Sequence, residues 1–291
     1  MMLDLLRSMR PQQWTKNFFL FAALIFSLNV TVIPYVLKTL AAFAVFCLLS
    51  SAQYLINDVL DYAEDRMHPK KSLRPIASDR VPRRQAVLMA VLLSLVALIW
   101  AYSLNRAFFI AAAVYLVLLF AYSLKLKHVV ILDMFIIAAG FVIRVVAGGL
   151  VIDVPLSSWL LICTTLLALF IAMTKRRHEL VLLDDNASSH RPILKEYSPY
   201  LLDQMIAVVT ASTVIAYCLY TVSAETVEKF GTANLIYTTP FVLYGIFRYL
   251  YLVHQKGKGG SPEELLLKDR PLFLAVVFWI ASAVGILYFK I

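Results

Sequence analysis

The stretch YLINDVLDYAEDRMHPKKSLRPIAS, residues 54–78, sets Asp58, Asp61, Glu64 and Asp65 directly ahead of Lys70, Lys71 and Arg74. Long apolar runs lie on both sides of it, and that contrast decides the fold. A chain that concentrates opposite charges between apolar runs is expected to place them where helices leave a bilayer.

Outward from this stretch, 61% of the 291 residues are hydrophobic, only 15% are charged, and the mean hydropathy is +0.79. A soluble domain carries about 25% charged residues. Apolar runs near the ~20 residues needed to span a membrane fall at 17–36, 39–57, 85–104, 107–123, 130–151, 157–175, 201–221, 232–252 and 271–290. They predict an all-α integral membrane protein of about nine transmembrane helices. A single transmembrane catalytic domain over residues 1–291 is expected. The very short link between 104 and 107 predicts antiparallel neighbours. The start MMLDLLRSMRPQQWTKN lacks the basic, apolar and small-residue order of a removed leader, so the first segment is expected to be retained.

Basic residues set the orientation. With a cytoplasmic N-terminus, the residues before 17, the 58–84 loop, Lys125 and Lys127, the 175–200 loop and the 248–270 loop all face inward. These places hold 22 of the 27 Lys and Arg residues. The opposite face keeps Lys38, Arg106, Lys229 and Lys290, and Arg144 stays inside a helix. This is the positive-inside pattern of a bacterial-type inner or plasma membrane. It accounts for the net charge of +9 without nucleic acid, which is not an expected partner. Cys47, Cys163 and Cys218 lie in apolar runs with no C-x-x-C spacing, so neither disulfides nor a thiolate zinc site is expected.

Asn57, Asp58, Asp61 and Asp65 recur at offsets that share one helical face. Like charges at that spacing repel unless a cation joins them. Mg²⁺ suits a few carboxylate oxygens, retained waters and substrate phosphates. Lys70, Lys71 and Arg74 would then meet those phosphates. The plainer reading is a hydrated helix end, and Glu64 is assigned to it.

NDVLDYAED, residues 57–65, resembles the N-D-x-x-D-x-x-x-D signature of the UbiA superfamily of intramembrane prenyltransferases. The resemblance implies nine helices around a central cavity and metal–diphosphate chemistry at the cytoplasmic side. RPQQWTKN (10–17) and DRMHPKKSLRPIAS (65–78) resemble the polyprenyl-phosphate phosphoribosyltransferase branch, whereas the aromatic branch reads closer to R-T-x-x-R-P-L-x-x-G. The implied reaction moves 5-phosphoribosyl from phosphoribosyl pyrophosphate to a polyprenyl phosphate of the decaprenyl type, with Mg²⁺. Asp58, Asp61 and Asp65 are its implied catalytic and metal residues. Lys16, Asn57, His68, Lys70, Lys71 and Arg74 are implied substrate contacts.

The superfamily's second motif, D-x-x-x-D, is not met strictly. TKRRHELVLLDDN (174–186) stands in its place, where Glu179, Asp184 and Asp185 are alternative acids, and Lys175 and Arg176 add positive charge. After the fourth run, Tyr122, Lys125 and Lys127 either reach the donor or form a solvated basic loop. Arg144 either contacts the lipid phosphate or a carboxylate, or forms a structural ion pair. QKGKGGSPEELLLKDRP (255–271) has no G-K-[ST] ending and is not a P-loop. Two other functions remain open: a prenyltransferase using a prenyl diphosphate with a small acceptor, and a transporter. A transporter would be better signalled by paired broken helices.

Overall fold

A computed structural model of the chain describes residues 2–68, 71–183, 192–260 and 262–289, and among these every regular element is helical. It divides into two compact units, 1–156 and 157–291. The first contains α1 (Met2–Ser8), a 3-10 segment (Pro11–Leu20), α2 (Phe21–Phe26), α3 (Ile33–Leu60), α4 (Tyr62–Met67), α5 (Arg83–Leu104), α6 (Arg106–Leu124) and α7 (Leu132–Ile152). The second contains α8 (Ser158–Leu183), α9 (Pro199–Val222), α10 (Ala224–Phe230), α11 (Thr239–His254), α12 (Pro262–Lys268) and α13 (Arg270–Phe289).

Seven described helices are long and apolar enough to cross a membrane: α3, α5, α6, α7, α8, α9 and α13. Their outer faces carry exposed Leu88, Leu95, Ile99, Val117 and Val208, which in water would be untenable and in lipid is the expected surface. The protein is an integral membrane protein.

The two remaining apolar runs are interrupted. The run expected at 17–36 divides between the 3-10 segment and α2, then turns through Ser27–Asn29, where Leu28 has φ 60°. Extended Val32 and then Pro34 open α3, six residues earlier than the hydropathy pattern indicates. The run at 232–252 is a 3-10 turn, Asn234–Thr238, feeding α11 at Pro240. Hydropathy registers the apolar side chains of these runs and is blind to the backbone breaks within them.

Inside the first unit, small residues set the packing. Ala86, Ala90, Ala97 and Ala101 form a buried seam along α5, where packing on α3 needs close approach because lipid supplies no hydrophobic drive between helices. Ala97 and Ala101 meet Ala42, Val45, Phe46 and Leu49, while Ala86 and Ala90 meet Ala52 and Leu55. Asn105 alone joins α5 to α6, its side chain accepting from the N–H groups of Ala107 (2.7 Å) and Phe108 (3.3 Å).

The 3-10 segment has a distinct logic. Side chains three apart eclipse in this helix, so Trp14, Asn17 and Leu20 share an edge. Trp14 Nε1 donates to Ser51 Oγ (3.0 Å), Asn17 Nδ2 to Ser50 Oγ (3.4 Å), and Leu20 is buried. At its far end the Leu20 backbone lies directly against Gly148 of α7, where any Cβ would collide with the Leu20 carbonyl.

In the second unit, Arg177 of α8 holds Asp203 of α9 through two nitrogens. Arg248 of α11 grips Asp269, which also accepts from Leu272 N–H (3.0 Å) at the start of α13. Gly259 packs so closely on His178 that a Cβ would lie 2.9 Å from that residue's own Cβ. The 255–260 loop is therefore fitted to α8.

Candidate active site

At 1.5 Å per residue, the 28 residues of α3 extend about 42 Å, some two turns beyond a ~30 Å hydrocarbon core. Its last turn carries Asp58, and Asp61 and Asp65 follow directly. α3 ends at Leu60, and Asp61 joins it to α4 with little break, since Asp61 N–H donates to Asn57 O (2.9 Å) and Asp65 N–H to Asp61 O (2.8 Å). Asp65 thus stays on the face of Asp58. Each is only 1% exposed.

Two buried carboxylates at one helix end require cations, and the structure supplies them from three directions. Arg74 Nη1 bridges both acids, 3.2 Å from Asp58 Oδ1 and 2.5 Å from Asp65 Oδ2. Arg10 Nη2 donates to the same Asp58 Oδ1, with its guanidinium 4.8 Å over the Tyr54 ring. Lys71 Nζ stands 3.7 Å from Asp65 Oδ1, and its backbone N–H donates to His68 Nδ1 (3.2 Å). Asp61 belongs to a neighbouring set. Lys127 donates to its Oδ1 and Asn57 Nδ2 to its Oδ2 (2.9 Å), while Ser123 Oγ donates to Asn57 Oδ1 (3.1 Å). Gln53 Nε2 donates to Ser123 Oγ (2.7 Å) and completes the chain.

Among the described residues no three His, Cys, Asp or Glu side chains already stand as a metal cage. Two oxygens nonetheless fit a divalent ion. Asp58 Oδ2 and Asp65 Oδ1 are buried without a hydrogen bond among the described residues, and a buried oxygen left so is costly. Their carboxylates share one guanidinium nitrogen, so they are close neighbours. Two carboxylates with retained waters form a donor set that Mg²⁺ accepts.

Of the residues singled out from sequence, the structure brings Asp58, Asp65, His68, Lys71 and Arg74 into one set and Asn57, Asp61 and Lys127 into the set beside it. Lys70, Asp184 and Asp185 lie outside the described residues. Lys16 is half-buried on the 3-10 segment, Tyr122 is half-buried near the end of α6, and Lys125 is exposed at that helix's cap. Lys175, Arg176 and Glu179 are on α8 of the second unit. There Arg176 is buried and donates to Glu179 Oε2 (2.6 Å) one turn away.

Arg144 departs from the carboxylate contact expected as one alternative. It is 6% exposed and donates to Asn17 Oδ1 (2.8 Å), Gly140 O (2.8 Å) and Tyr115 OH (2.6 Å). The Tyr115 and Phe141 rings flank it at 4.8 and 5.3 Å. All three acceptors are neutral, and they belong to the 3-10 segment, α6 and α7. The structural ion pair offered as the other alternative is also absent among the described residues; the role is a cross-brace made with neutral groups.

Arg10 is the residue that sequence reasoning overlooked. In RPQQWTKN the resemblance implicates Lys16 and not Arg10. The signal lay in the backbone: Arg10 has φ 52° and ψ 63° immediately before Pro11. A left-handed non-glycine residue is uncommon and clusters at functional sites.

Residues 18–277 match the UbiA prenyltransferase family, a span that runs through both units. The chain is 34% identical to the decaprenyl-phosphate phosphoribosyltransferase of Mycolicibacterium smegmatis, covering 98% of this chain and 93% of that one. It is 32% identical to the enzyme of the same description from Corynebacterium glutamicum, covering 98% and 86%. A solved UbiA homolog from Archaeoglobus fulgidus, bound to DMAPP and Mg²⁺, superposes with a TM-score of 0.73 at 20% identity, covering 98% of this chain and 99% of that one. With its acidic helix end, its cations and its full-length relatives, the chain belongs to the UbiA prenyltransferase family.

Proposed function

We propose that this protein is a polyprenyl-phosphate phosphoribosyltransferase, moving 5-phosphoribosyl from phosphoribosyl pyrophosphate to a polyprenyl phosphate of the decaprenyl type. The observation that carries this reading is the cationic surplus at the acids. Arg10, Lys71, Arg74 and Lys127 surround Asp58, Asp61 and Asp65, leaving positive charge for a donor with phosphates at both ends. The activity for which the two phosphoribosyltransferase relatives are named supports the same choice.

The acceptor phosphate is already anionic, so no protein nucleophile is required. One of its oxygens attacks C1 of the ribose, the C1–O bond to diphosphate breaks, and diphosphate leaves with that electron pair. Displacement from the opposite side inverts C1. Mg²⁺ held by Asp58 and Asp65, with Asp61 as a further ligand, would supply Lewis-acid neutralisation of the leaving diphosphate. Arg10, Arg74, Lys71 and Lys127 would orient the donor's phosphates and meet the charge that builds on the leaving group. Lys16, Asn57, His68, Lys70, Tyr122 and Lys125 are further proposed substrate contacts of the first unit and Lys175, Arg176 and Glu179 of the second, and the proposed catalytic domain is 1–291. The basic loops support a reaction at the cytoplasmic face, where a water-soluble donor would arrive from one side and the lipid from the bilayer.

The test is donor choice. Protein in nanodiscs with Mg²⁺ should release diphosphate from phosphoribosyl pyrophosphate only when polyprenyl phosphate is present. Diphosphate release from a prenyl diphosphate with an aromatic acceptor, and none from phosphoribosyl pyrophosphate, would overturn the assignment and keep the fold.

A further inference from the structure

Each base of this site is paired with one of its acids through a carboxylate oxygen, which leaves Asp58 Oδ2 and Asp65 Oδ1 for a further ligand. Asp58 Oδ1 receives both Arg10 and Arg74, Arg74 also holds Asp65, and Lys127 holds Asp61. A divalent cation drawing on these carboxylates meets guanidinium and ammonium groups of its own sign. A diphosphate drawing on those bases strips cations from carboxylates of which Asp58 and Asp65 are almost wholly buried. Either ligand alone breaks pairs and leaves one partner uncompensated, a costly outcome for buried charge. The two together replace every pair they break.

We propose that Arg10 is an exchange residue: it neutralises Asp58 until a diphosphate draws it away, so that the divalent cation and the diphosphate bind as a coupled pair. The inference rests on the proposed function only in taking the donor to be a diphosphate ester. Arg10 suits the task better than Arg74. It makes one acidic contact where Arg74 makes two, so drawing it away breaks a single pair. Its left-handed backbone stands before a proline, which itself favours extended geometry in the preceding residue. The ion pair with Asp58 and the stack on Tyr54 hold that strained conformation, and releasing them lets it relax. The segment that follows touches Arg10 through its backbone, Gln13 N–H donating to Arg10 O (2.9 Å), and Trp14–Ser51 and Asn17–Ser50 also bind it to α3.

The arrangement predicts effects of opposite sign from one substitution. Titration calorimetry on the full protein in nanodiscs, with magnesium chloride alone, sodium pyrophosphate alone, and each at saturation of the other, measures all four affinities. After correction for the soluble Mg²⁺–pyrophosphate complex, each ligand should tighten the other by the same factor, about fivefold or more. Arg10→Ala should tighten Mg²⁺ alone by about fivefold while weakening pyrophosphate by at least as much, and Arg10→Lys should restore both towards wild type. A purely structural ion pair, or a purely phosphate-binding arginine, leaves Mg²⁺ alone unchanged or weaker, and either result overturns the proposal. Lys127→Ala acts on Asp61 from a different part of the chain and must show the same sign; it carries the test if Arg10→Ala does not fold. Pyrophosphate is common to any diphosphate donor. Coupling that persists in a protein inactive with phosphoribosyl pyrophosphate therefore refutes the donor assignment alone.

Discussion

A buried arginine in a membrane protein is costly unless something receives each of its N–H groups. Arg144 meets this requirement with an amide oxygen, a main-chain carbonyl and a phenol, drawing together three elements that hydropathy alone would leave free to slide. Arg144→Met should therefore lower stability by about 2–3 kcal/mol, the worth of hydrogen bonds to a charged group. Arg144→Lys should recover only part of it, because an ammonium lacks the planar fork. Thermal unfolding in detergent measures both, and wild-type stability in Arg144→Met would remove the brace from the account. At this scale the sequence was most legible where spacing carries meaning: Asp58 and Asp65 share a face because seven residues make two turns. Arg10 was not legible as a partner of Asp58, since 48 residues separate them and no local pattern connects the two. Glu179 shows the converse, as its buried partner Arg176 was only three residues away.

Between elements, the close approach of the 3-10 segment to α7 depends on Gly148. Gly148→Ala forces Leu20 or α7 to move, and the expected loss of about 1–3 kcal/mol is that of an overpacked core. An unfolding midpoint equal to wild type would show that the contact is looser than described. A pH effect belongs here as well. Arg248 beside Asp269, aided by the Leu272 N–H, holds that carboxyl below its ordinary range. The stabilisation is thus fully present above the unfolded-state pKa and is lost as pH falls through the lowered folded value. The gap in unfolding midpoint between wild type and Asp269→Asn should be constant near neutral pH and close below about pH 4. A gap that persists in acid would assign the effect to Asn itself. The broken runs at 17–36 and 232–252 belong to this scale too. Their side chains satisfy a hydropathy window, and only the left-handed Leu28 and the prolines at 34 and 240 mark where the helices divide.

For the whole molecule, the strongest signal in the sequence was compositional. Apolar runs pointed to an all-helical membrane architecture, and the distribution of Lys and Arg predicts a cytoplasmic N-terminus. Because Cys47 is buried and Cys163 and Cys218 are only partly exposed within apolar segments, an added surface cysteine can report orientation above a low background. Ser78→Cys, in the acidic–basic loop, should react with a membrane-impermeant maleimide only in inverted vesicles, and Lys229→Cys only in intact cells. The reverse pattern would place the site on the outer face, away from a cytoplasmic donor.

On the proposed reading, the buried acids and the cations at the end of α3 together transfer a phosphorylated ribose to lipid. Its most direct test gives purified protein Mg²⁺, decaprenyl phosphate and phosphoribosyl pyrophosphate carrying ¹⁴C in the ribose, then measures label in the organic phase. Lipid-borne label that falls by about 10²–10³-fold with Asp58→Asn, the scale expected for losing a preorganised electrostatic contact, is the predicted result. Label that never enters the lipid, or enters it equally with Asp58→Asn, would contradict the account.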